Sequence, residues 1–366
     1  MLDFRSDADY ALLIPTSMGV RISPRDRQPV SGARDFRMQV TSAESNVASV
    51  LSYLGLPVKV LTALVEESPI ARMIAEDLAG RHMEVEAKRV SQGGPWGHRH
   101  QFNIADAGFG VRGPRVHNDR TGEVGRTLAP GDFDLERIFA EEGVQVVHLS
   151  GLIAALSPSA GELCLEIARK AREAGTRMSF DLNYRASFWA EEPERLRRVF
   201  REIASLSDLL IGNEEDFQLA LGLEGPEAGG KDLAGKIDGF KGMITRAAEE
   251  YPQVRLFATT LREVVSANEH RWGALLRAAP GAAAEAAPVW HVIEPRPIPV
   301  FDRIGGGDGF VGGLLYGLLR GWDPERCLQF GWASGALAVT METDYARPAR
   351  EAEIQRIWDG DARVSR

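Results

Sequence analysis

Cysteine is scarce in this sequence, since only Cys164 and Cys327 occur among 366 residues. Both lie in helix-like segments far apart in the chain, which is neither the spacing of a disulfide framework nor that of a metal-binding cysteine motif. The sequence therefore lacks the signature of a disulfide-stabilised secreted protein. We expect a reducing, cytoplasmic environment.

Two further features are missing. The formal net charge is −9 and no sustained run of lysine and arginine occurs, which argues against a surface that neutralises nucleic-acid phosphates. No apolar segment reaches transmembrane length, and the short apolar run at the N-terminus follows acidic residues where a secretory signal would have basic ones. We expect neither nucleic acid nor a membrane as a partner.

What the sequence does contain is an alternation of short apolar runs with amphipathic helices. The runs "YALLIP", "VKVLTALV", "VQVVHLSG" and "RMSFDLN" alternate with helical patterns such as "ESNVASVLSYLGL" and "SAGELCLEIARKAREAG". This order favours parallel strands joined by crossover helices, with active residues at the carboxyl ends of the strands. Residues 92–128 interrupt the rhythm and predict a strand-and-loop flap, and residues 277–290 predict an exposed turn between two late strands.

The stretch "DRIGGGDGFVGGLLYGLL", residues 302–319, places three glycines and a carboxylate at the start of a helical pattern. Successive glycines let backbone N–H groups converge on an anion, and the helix dipole adds positive potential there. The alternative is a flexible turn in which Asp308 caps the helix. Gly307, Gly309 and Gly312 formally match a dinucleotide-binding fingerprint, but that motif belongs after the first strand of a βαβ unit.

Phosphoryl transfer would use both features of this stretch. The reaction needs positioning, charge neutralisation and a base that takes the proton from the attacking hydroxyl. Backbone amides of Gly305, Gly306 and Gly307 would hold the migrating charge, and Asp308 would be the base.

The same stretch resembles the C-terminal signature of the ribokinase-like (PfkB) carbohydrate kinases, Asp-x-x-Gly-x-Gly-Asp followed by small residues and a helix. Three more segments extend the resemblance, in the family's order, across most of the chain. "SFDLNYRASFW" resembles the Asp-x-Asn-x-Arg strand end and is most like the 2-keto-3-deoxygluconate kinase branch. "LIGNEEDFQLALG" is similar to the family's Asn-Glu-Glu segment, and "TTLREVVSANEHRWGALL" to the nucleotide strand of that branch.

The resemblance implies an α/β, ribokinase-like three-layer fold, with a mostly parallel central sheet, helices on both faces and a small β lid. It implies a single domain over residues 1–366, with the lid formed from parts of about 14–42 and 95–125. Lid strands in this fold often pair between subunits, so a homodimer is a further expectation. The implied cofactors are ATP and Mg²⁺ and, by family analogy, a monovalent cation such as K⁺ near Asp302.

The resemblance also implies roles for individual residues. They are Asp308 as the base with Gly305, Gly306 and Gly307 as the anion hole; Asn213, Thr260, Leu261 and Arg262 along the nucleotide; Asn46, Arg120, Asn183 and Arg185 at the substrate; and Glu215 and Asp216 near the metal, directly or through water.

The two substrate arginines favour an acid as the acceptor. Bidentate guanidinium groups suit a carboxylate, so we expect the γ-phosphoryl group of ATP to go to 2-keto-3-deoxygluconate or a related acid rather than to fructose or ribose. Arg185 could instead pair with a structural carboxylate, and Arg120 could be solvated.

The departures from the family pattern fall on the acceptor side. Thr41 and Ser42 stand where the family has glycines that let a sugar approach the backbone, and Asn118 stands where the branch favours tyrosine. We therefore expect an altered sugar specificity. The alternatives are a kinase for a different ketose such as fructose and a catalytically altered sugar- or nucleotide-binding protein on the same fold. A nucleotide-dependent oxidoreductase is a weaker alternative, because no dinucleotide fingerprint occurs near residue 20.

Overall fold

The computed structural model describes residues 2–227, 233–280 and 287–363. Its strands are β1 Tyr10–Pro15, β2 Gly19–Pro24, β3 Phe36–Thr41, β4 Val58–Val65, β5 Met83–Val90, β6 Gln101–Asp106, β7 Arg115–Asp119, β8 Val144–Ser150, β9 Arg177–Asp181, β10 Leu209–Ile211, β11 Leu256–Ser266, β12 Glu269–Ala278 and β13 Val289–Pro299. Its helices are α1 Ala43–Tyr53, α2 Pro69–Gly80, α3 Gly151–Ala155, α4 Pro158–Glu173, α5 Ala186–Trp189, α6 Pro193–Leu206, α7 Glu214–Asp216, α8 Leu233–Glu250, α9 Gly306–Leu319, α10 Pro324–Ala338 and α11 Glu351–Trp358.

A nine-stranded sheet runs through the molecule in the order β13-β12-β11-β10-β9-β8-β1-β4-β5. The strands from β11 to β5 in this order are parallel, whereas β12 and β13 extend one edge as an antiparallel pair. This arrangement confirms the prediction of an α/β fold with a mostly parallel central sheet. Of the turn predicted between the last two strands, residues 281–286 lie outside the described residues.

Helices cover both faces of this sheet because its buried side chains alternate between two cores. Along β1, Leu12 and Ile14 belong to one apolar core and Leu13 to the other, as expected when successive side chains point to opposite faces of a strand. Helices α4, α6 and α8 contribute to the core that contains Leu13, and α1, α9 and α10 to the second. The three-layer prediction is thereby confirmed.

A second, four-stranded sheet has the order β3-β2-β6-β7, and we call it the small sheet. Its strands lie within the two segments expected to form a lid. β2 pairs antiparallel with β3 and parallel with β6. The short connection from β3 into α1 therefore carries the chain directly from the small sheet to the helix that packs on α9.

Local sequence signals mark the helix starts. Ser42 and Ser68 cap α1 and α2 by accepting hydrogen bonds from the backbone N–H groups of Ser45 and Ala71, at 3.1 and 3.4 Å. Pro69 occupies the first turn of α2, as predicted. Within the described part of the chain, no helix has both the length and the apolar content needed to cross a membrane.

The glycines of α9 allow other helices to approach closely. A Cβ at Gly312 would lie 2.5 Å from the carbonyl oxygen of Val47 in α1, and one at Gly309 would lie 2.9 Å from that of Ser334 in α10. The contact partners of these glycines are α1 and α10. Helix α9, which carries the glycine turn at its start, is therefore fixed by two neighbouring helices.

We expect Gly312→Ala to destabilise the protein by about 1–3 kcal/mol, because the new methyl group overlaps the backbone of α1. Urea denaturation followed by circular dichroism measures the change. The matched control is Gly80→Ala, at an exposed helical position where a Cβ would have no atom within 4 Å. That variant should be neutral or more stable by about 0.5–1 kcal/mol. Equal destabilisation of both variants would contradict the close-packing explanation.

Candidate active site

The glycine turn before α9 has one packed side and one open side. Gly305 has a φ of 85°, and a Cβ on it would lie 1.8 Å from the carbonyl oxygen of Asp344, so no other residue fits there. Gly306 is buried against Val339. Gly307 is exposed, with no atom within 4 Å of a Cβ built there. The turn therefore leaves free space at the start of a fourteen-residue helix, where backbone N–H groups favour an anion.

Asp308 lies in the first turn of α9 and is partly buried. Its Oδ2 accepts a hydrogen bond of 2.8 Å from Nδ2 of Asn46. The N-cap residue is Gly305, and no side-chain capping bond is present there, so the alternative of Asp308 as a helix cap is wrong. Asp308 pairs with α1 instead.

Burial raises the pKa of Asp308 to about 7, and the nearby carboxylates of Asp344 and Glu44 add to the effect. The hydrogen bond from Asn46 and the charge of Arg185 oppose it. A carboxylate with a pKa near 7 is well matched to proton abstraction at neutral pH.

Asn46 is 2% exposed, and only one end of its side-chain amide forms hydrogen bonds. Its Nδ2 also reaches Oγ1 of Thr41 at 3.4 Å, but its Oδ1 is buried without a partner within the described residues. A buried carbonyl without a donor is costly, so this oxygen marks a position beside Asp308 where a hydroxyl would be favourable.

Two more carboxylates belong to this region: Asp181, at the end of β9 and near Asp308, and Asp216, in the short helix α7 that follows β10 and near Asp181. Asp181 has its pKa raised well above the ordinary value by burial and by the charges of Asp216 and Asp308. Burial raises the pKa of Asp216 to about 6. Asp181 belongs to the "SFDLN" motif but was not predicted as a site residue. Its position as an acid closing a parallel strand was the available signal.

The predicted metal residues differ in their surroundings. Both oxygens of Asp216 accept backbone N–H groups, from Tyr184 and from Asn213, each at 2.8 Å, and Asn213 caps the same short helix in return. Glu215 is exposed. Across residues 2–227, 233–280 and 287–363, no group of three or more His, Cys, Asp or Glu side chains could hold a metal ion by itself.

Three arginines gather opposite these carboxylates. Arg262 has its pKa lowered to about 10 by burial and by the charges of Arg303 and Arg185, and burial and Arg185 also lower the pKa of Arg303. Arg185 is exposed and donates only to the carbonyl of Tyr184, at 2.7 Å. None of the three forms an ion pair with a carboxylate in the described ranges. Arg262 and Arg303 are desolvated and Arg185 is exposed, and guanidinium groups without a carboxylate partner favour an anion.

Arg303 opens into a cavity of about 310 Å³ between the small sheet's loop at Gly110 and the turn at Ser266. His270 also lines it, and burial lowers the pKa of this imidazole to about 4, so it is neutral. Sequence reasoning did not select Arg303. A basic residue inside the motif, two positions before the glycines, was the signal.

The remaining predicted residues are placed as follows. Arg120 donates to both carboxylate oxygens of Glu123, at 2.8 and 2.9 Å, so it is not simply solvated. Asn183 is buried with a φ of 38°, a left-handed conformation that asparagine tolerates. Thr260 is half-buried in β11. The side chain of Leu261 lies in the core, so any contact it makes with a nucleotide is through its backbone.

The two residues that replace family glycines form hydrogen bonds within the protein. Oγ1 of Thr41 donates to Oδ2 of Asp344 at 2.9 Å, and Ser42 is the N-cap of α1. Buried Glu44, in the next turn of the chain, accepts from Thr16 at 2.6 Å and from Ser150. The side chains of Thr41, Ser42 and Glu44 thus form hydrogen bonds within the protein at the junction between β3 and α1.

A carboxylate poised beside an open glycine turn and a group of unpaired arginines is the arrangement of a phosphotransferase. A model described as the pfkB family carbohydrate kinases matches residues 127–248 and 281–349. The chain belongs to this family, and it is a carbohydrate kinase.

Individual relatives cover almost the whole chain. A 2-dehydro-3-deoxygalactonokinase of Haloferax volcanii is 28% identical over 95% of this chain and 96% of its own length. A 2-dehydro-3-deoxygluconokinase of Thermoproteus tenax is 27% identical over 87% of this chain and 85% of its own. The crystal structure of a 2-dehydro-3-deoxygluconokinase from Thermotoga maritima has a TM-score of 0.84 at 26% identity, covering 96% of this chain and all of that one.

The pKa of Asp308 leads to a stability prediction. The pKa of Asp308 in the folded protein, about 7, lies above the ordinary value of 3.8. The unfolded chain therefore ionises this carboxyl group first, and the protein loses stability as pH rises from about 4 to 7. Asp308→Asn should therefore melt at a higher temperature than the wild type at pH 8, by about 2–4 °C for each kcal/mol recovered. The difference should shrink as pH is lowered toward 5.

The matched control for this measurement is Asp344→Asn. It removes a carboxylate that is paired with Arg21, so it should lower the melting temperature at pH 8. A melting temperature of Asp308→Asn at or below the wild-type value at pH 8 would show that ionised Asp308 does not destabilise the folded protein.

Proposed function

We propose that the protein transfers the γ-phosphoryl group of ATP, with Mg²⁺, to a hydroxyl of a 2-keto-3-deoxy sugar acid or a close relative of such an acid. The observation that carries this proposal is Asp308, a carboxylate with a pKa of about 7 that lies beside the open side of the glycine turn. The names of the three relatives support the class of acceptor, since each is a kinase of a dehydro-deoxy sugar acid.

Asp308 takes the proton of the attacking hydroxyl, and Asn46 orients its carboxylate. The free Oδ1 of Asn46 accepts a hydroxyl of the sugar beside it. The N–H groups of the turn at Gly305, Gly306 and Gly307 face the migrating phosphoryl group, whose charge they stabilise. The side chain of Arg185, exposed and without a carboxylate partner in the described chain, binds the acid group of the acceptor.

The nucleotide phosphates lie along Asn213, the backbone from Thr260 to Leu261, and Arg262. Arg303 adds a second buried guanidinium to this side. Burial and, to a lesser extent, the charge of Arg185 lower the pKa values of both Arg262 and Arg303, and Arg303 adds to the effect on Arg262. A polyphosphate, which offers several anionic oxygens at once, favours the charged forms of these arginines.

The site suits Mg²⁺ that arrives with the nucleotide. Asp181 and Asp216 are carboxylates with raised pKa values, so a nearby cation is favourable, while no described cluster provides a complete set of protein ligands. Mg²⁺ keeps several waters and binds through one or two carboxylates and phosphates, and it supplies charge neutralisation of the phosphates. Asp181, Asp216 and Glu215 would hold it through water or phosphate.

The small sheet is the lid of a single kinase domain over residues 1–366. It closes over the acceptor and excludes water from the reacting groups. Met38 and Val116 expose apolar surface on its two edge strands, at 47% and 52%, and a second copy of the chain would cover this surface in a homodimer. We do not include a monovalent cation, because Asp302 is already paired with Arg21.

The direct test is a screen of ADP release with Mg-ATP against 2-keto-3-deoxygluconate, its galactonate epimer, the corresponding neutral sugars, fructose and ribose. We expect the acids to be turned over with the higher kcat/KM. Asp308→Asn should lower kcat by about 10²–10⁴-fold on the same acceptor. If the acids bind tightly and no acceptor raises ADP release above this variant, the protein is a binding protein on a kinase fold.

The pH profile tests the base itself. Since the base must be ionised, kcat/KM should rise with pH and level off above about 7, the pKa of Asp308. Asn46→Leu removes the hydrogen bond that lowers this pKa, so the rise should move to higher pH by about 0.5–1 unit. Ser45→Ala, at a neighbouring buried position of α1, should leave the profile in place. Unchanged profiles in both variants would exclude Asp308 as the titrating base.

A further inference from the structure

Arg21 joins the small sheet to both segments that hold the glycine turn. It extends from β2 and is 1% exposed. Its Nη2 donates to Oδ2 of Asp302, which opens the motif, at 2.5 Å. Its Nη1 donates to Oδ1 of Asp344, whose carbonyl oxygen closes the turn against Gly305. One buried guanidinium thus forms ion pairs with two buried carboxylates on either side of the turn.

Each oxygen of these two carboxylates accepts at least one hydrogen bond from the protein. Oδ1 of Asp302 accepts the N–H of Ile304 at 3.1 Å. Oδ1 of Asp344 also accepts Nε2 of Gln39 at 3.0 Å, and its Oδ2 accepts Oγ1 of Thr41 at 2.9 Å. Every donor to Asp344 comes from the small sheet, so the arrangement depends on that sheet being in place.

The backbone beside Asp302 is engaged in the same way. The carbonyl oxygen of Val339, at the end of α10, accepts the N–H groups of Phe301 and Asp302, at 2.8 and 3.1 Å. A monovalent cation bound near Asp302 would need carboxylate and carbonyl oxygens as ligands. It would also lie next to a guanidinium in a buried site, where two like charges repel strongly. The residues around Asp302 do not fit such an ion.

We propose that the guanidinium of Arg21 takes the place of a monovalent cation beside the glycine turn, so that phosphoryl transfer by this protein is independent of K⁺ and Na⁺. Arg21 acts as a positioning residue, because it contacts the segments that shape the turn. Unlike an exchangeable ion, it is part of the lid. The sheet that covers the acceptor therefore also supplies the cation beside the turn, and a displaced lid would leave two buried carboxylates without a cation.

The inference rests on the proposed kinase activity, and the wild-type enzyme tests it directly. ADP release is measured with Mg-ATP and the best acceptor in KCl, NaCl or choline chloride at a constant ionic strength of about 0.1 M. We expect kcat/KM to differ by less than about twofold among the three salts, because a cation that has no binding site on the protein does not change its activity through binding. A several-fold stimulation by K⁺ or Na⁺ over choline would overturn the proposal.

A variant with the guanidinium removed provides the complementary test. Arg21→Met leaves Asp302 and Asp344 without a cation and leaves a space where the guanidinium group was. This variant should lose at least about tenfold in kcat/KM in choline chloride. Added K⁺ or low guanidinium chloride should restore part of this loss. The matched control is Arg37→Met, which removes a small-sheet arginine paired with Glu342 at the surface and should be insensitive to the salt. If neither K⁺ nor guanidinium ion restores any of the kcat/KM lost in Arg21→Met, the proposal that Arg21 replaces a monovalent cation is contradicted.

Thermal melting tests the replacement of a cation by Arg21 separately from the proposed kinase function. The wild type should melt at the same temperature in the three salts, whereas Arg21→Met should be stabilised by K⁺ or guanidinium ion relative to choline. This result can be obtained even if no acceptor is phosphorylated, in which case the proposed function fails while the cation replacement is upheld. If Arg21→Met does not fold, the wild-type melting and activity in the three salts still decide the question.

Discussion

The contact between Gly305 and the carbonyl oxygen of Asp344 is the constraint on which the site depends. The left-handed turn at Gly305 leaves no space for a side chain, and it directs the chain into α9 so that Asp308 meets Asn46 of α1. The glycines further along α9 allow α1 and α10 to approach closely enough for this meeting. Backbone geometry at one residue thus determines both the open side of the turn and the surroundings of Asp308.

The fold and the centre of the site were predictable because their signals are local. The alternation of apolar runs predicted the parallel sheet, and the apolar spacing of "ESNVASVLSYLGL" predicted α1. Three glycines followed by a carboxylate predicted the turn and Asp308. Arg303 and Asp181 were within reach as well, since each stands in a motif that had been identified for other residues.

The partners of these residues could not be predicted, because they are distant in the chain. Arg21 and Asp344 are separated by 323 positions, and Asn46 and Asp308 by 262. The family resemblance assigned Asn46 and Asp308 to one site, but no motif pairs their side chains. The packing of α1 on α9 brings these two together, and the packing of the small sheet on the glycine turn brings Arg21 to Asp344. The hydroxyls of Thr41 and Ser42 were recognised as departures from the family, but their hydrogen bonds explain them only once Asp344 and the start of α1 are located.

The charged groups of the site form two sets, one of carboxylates and one of arginines. Each set lacks a counter-charge that a ligand could supply. The carboxylates Asp181, Asp216 and Asp308 have raised pKa values, while Arg262 and Arg303 have lowered ones. Both kinds of shift mean that the charged form is disfavoured by burial and by neighbours of like charge. A metal–polyphosphate carries both missing charges, the cation for the carboxylates and the anion for the arginines. In the proposed function, binding of the nucleotide with its metal would relieve both unfavourable sets together and so would stabilise the folded protein.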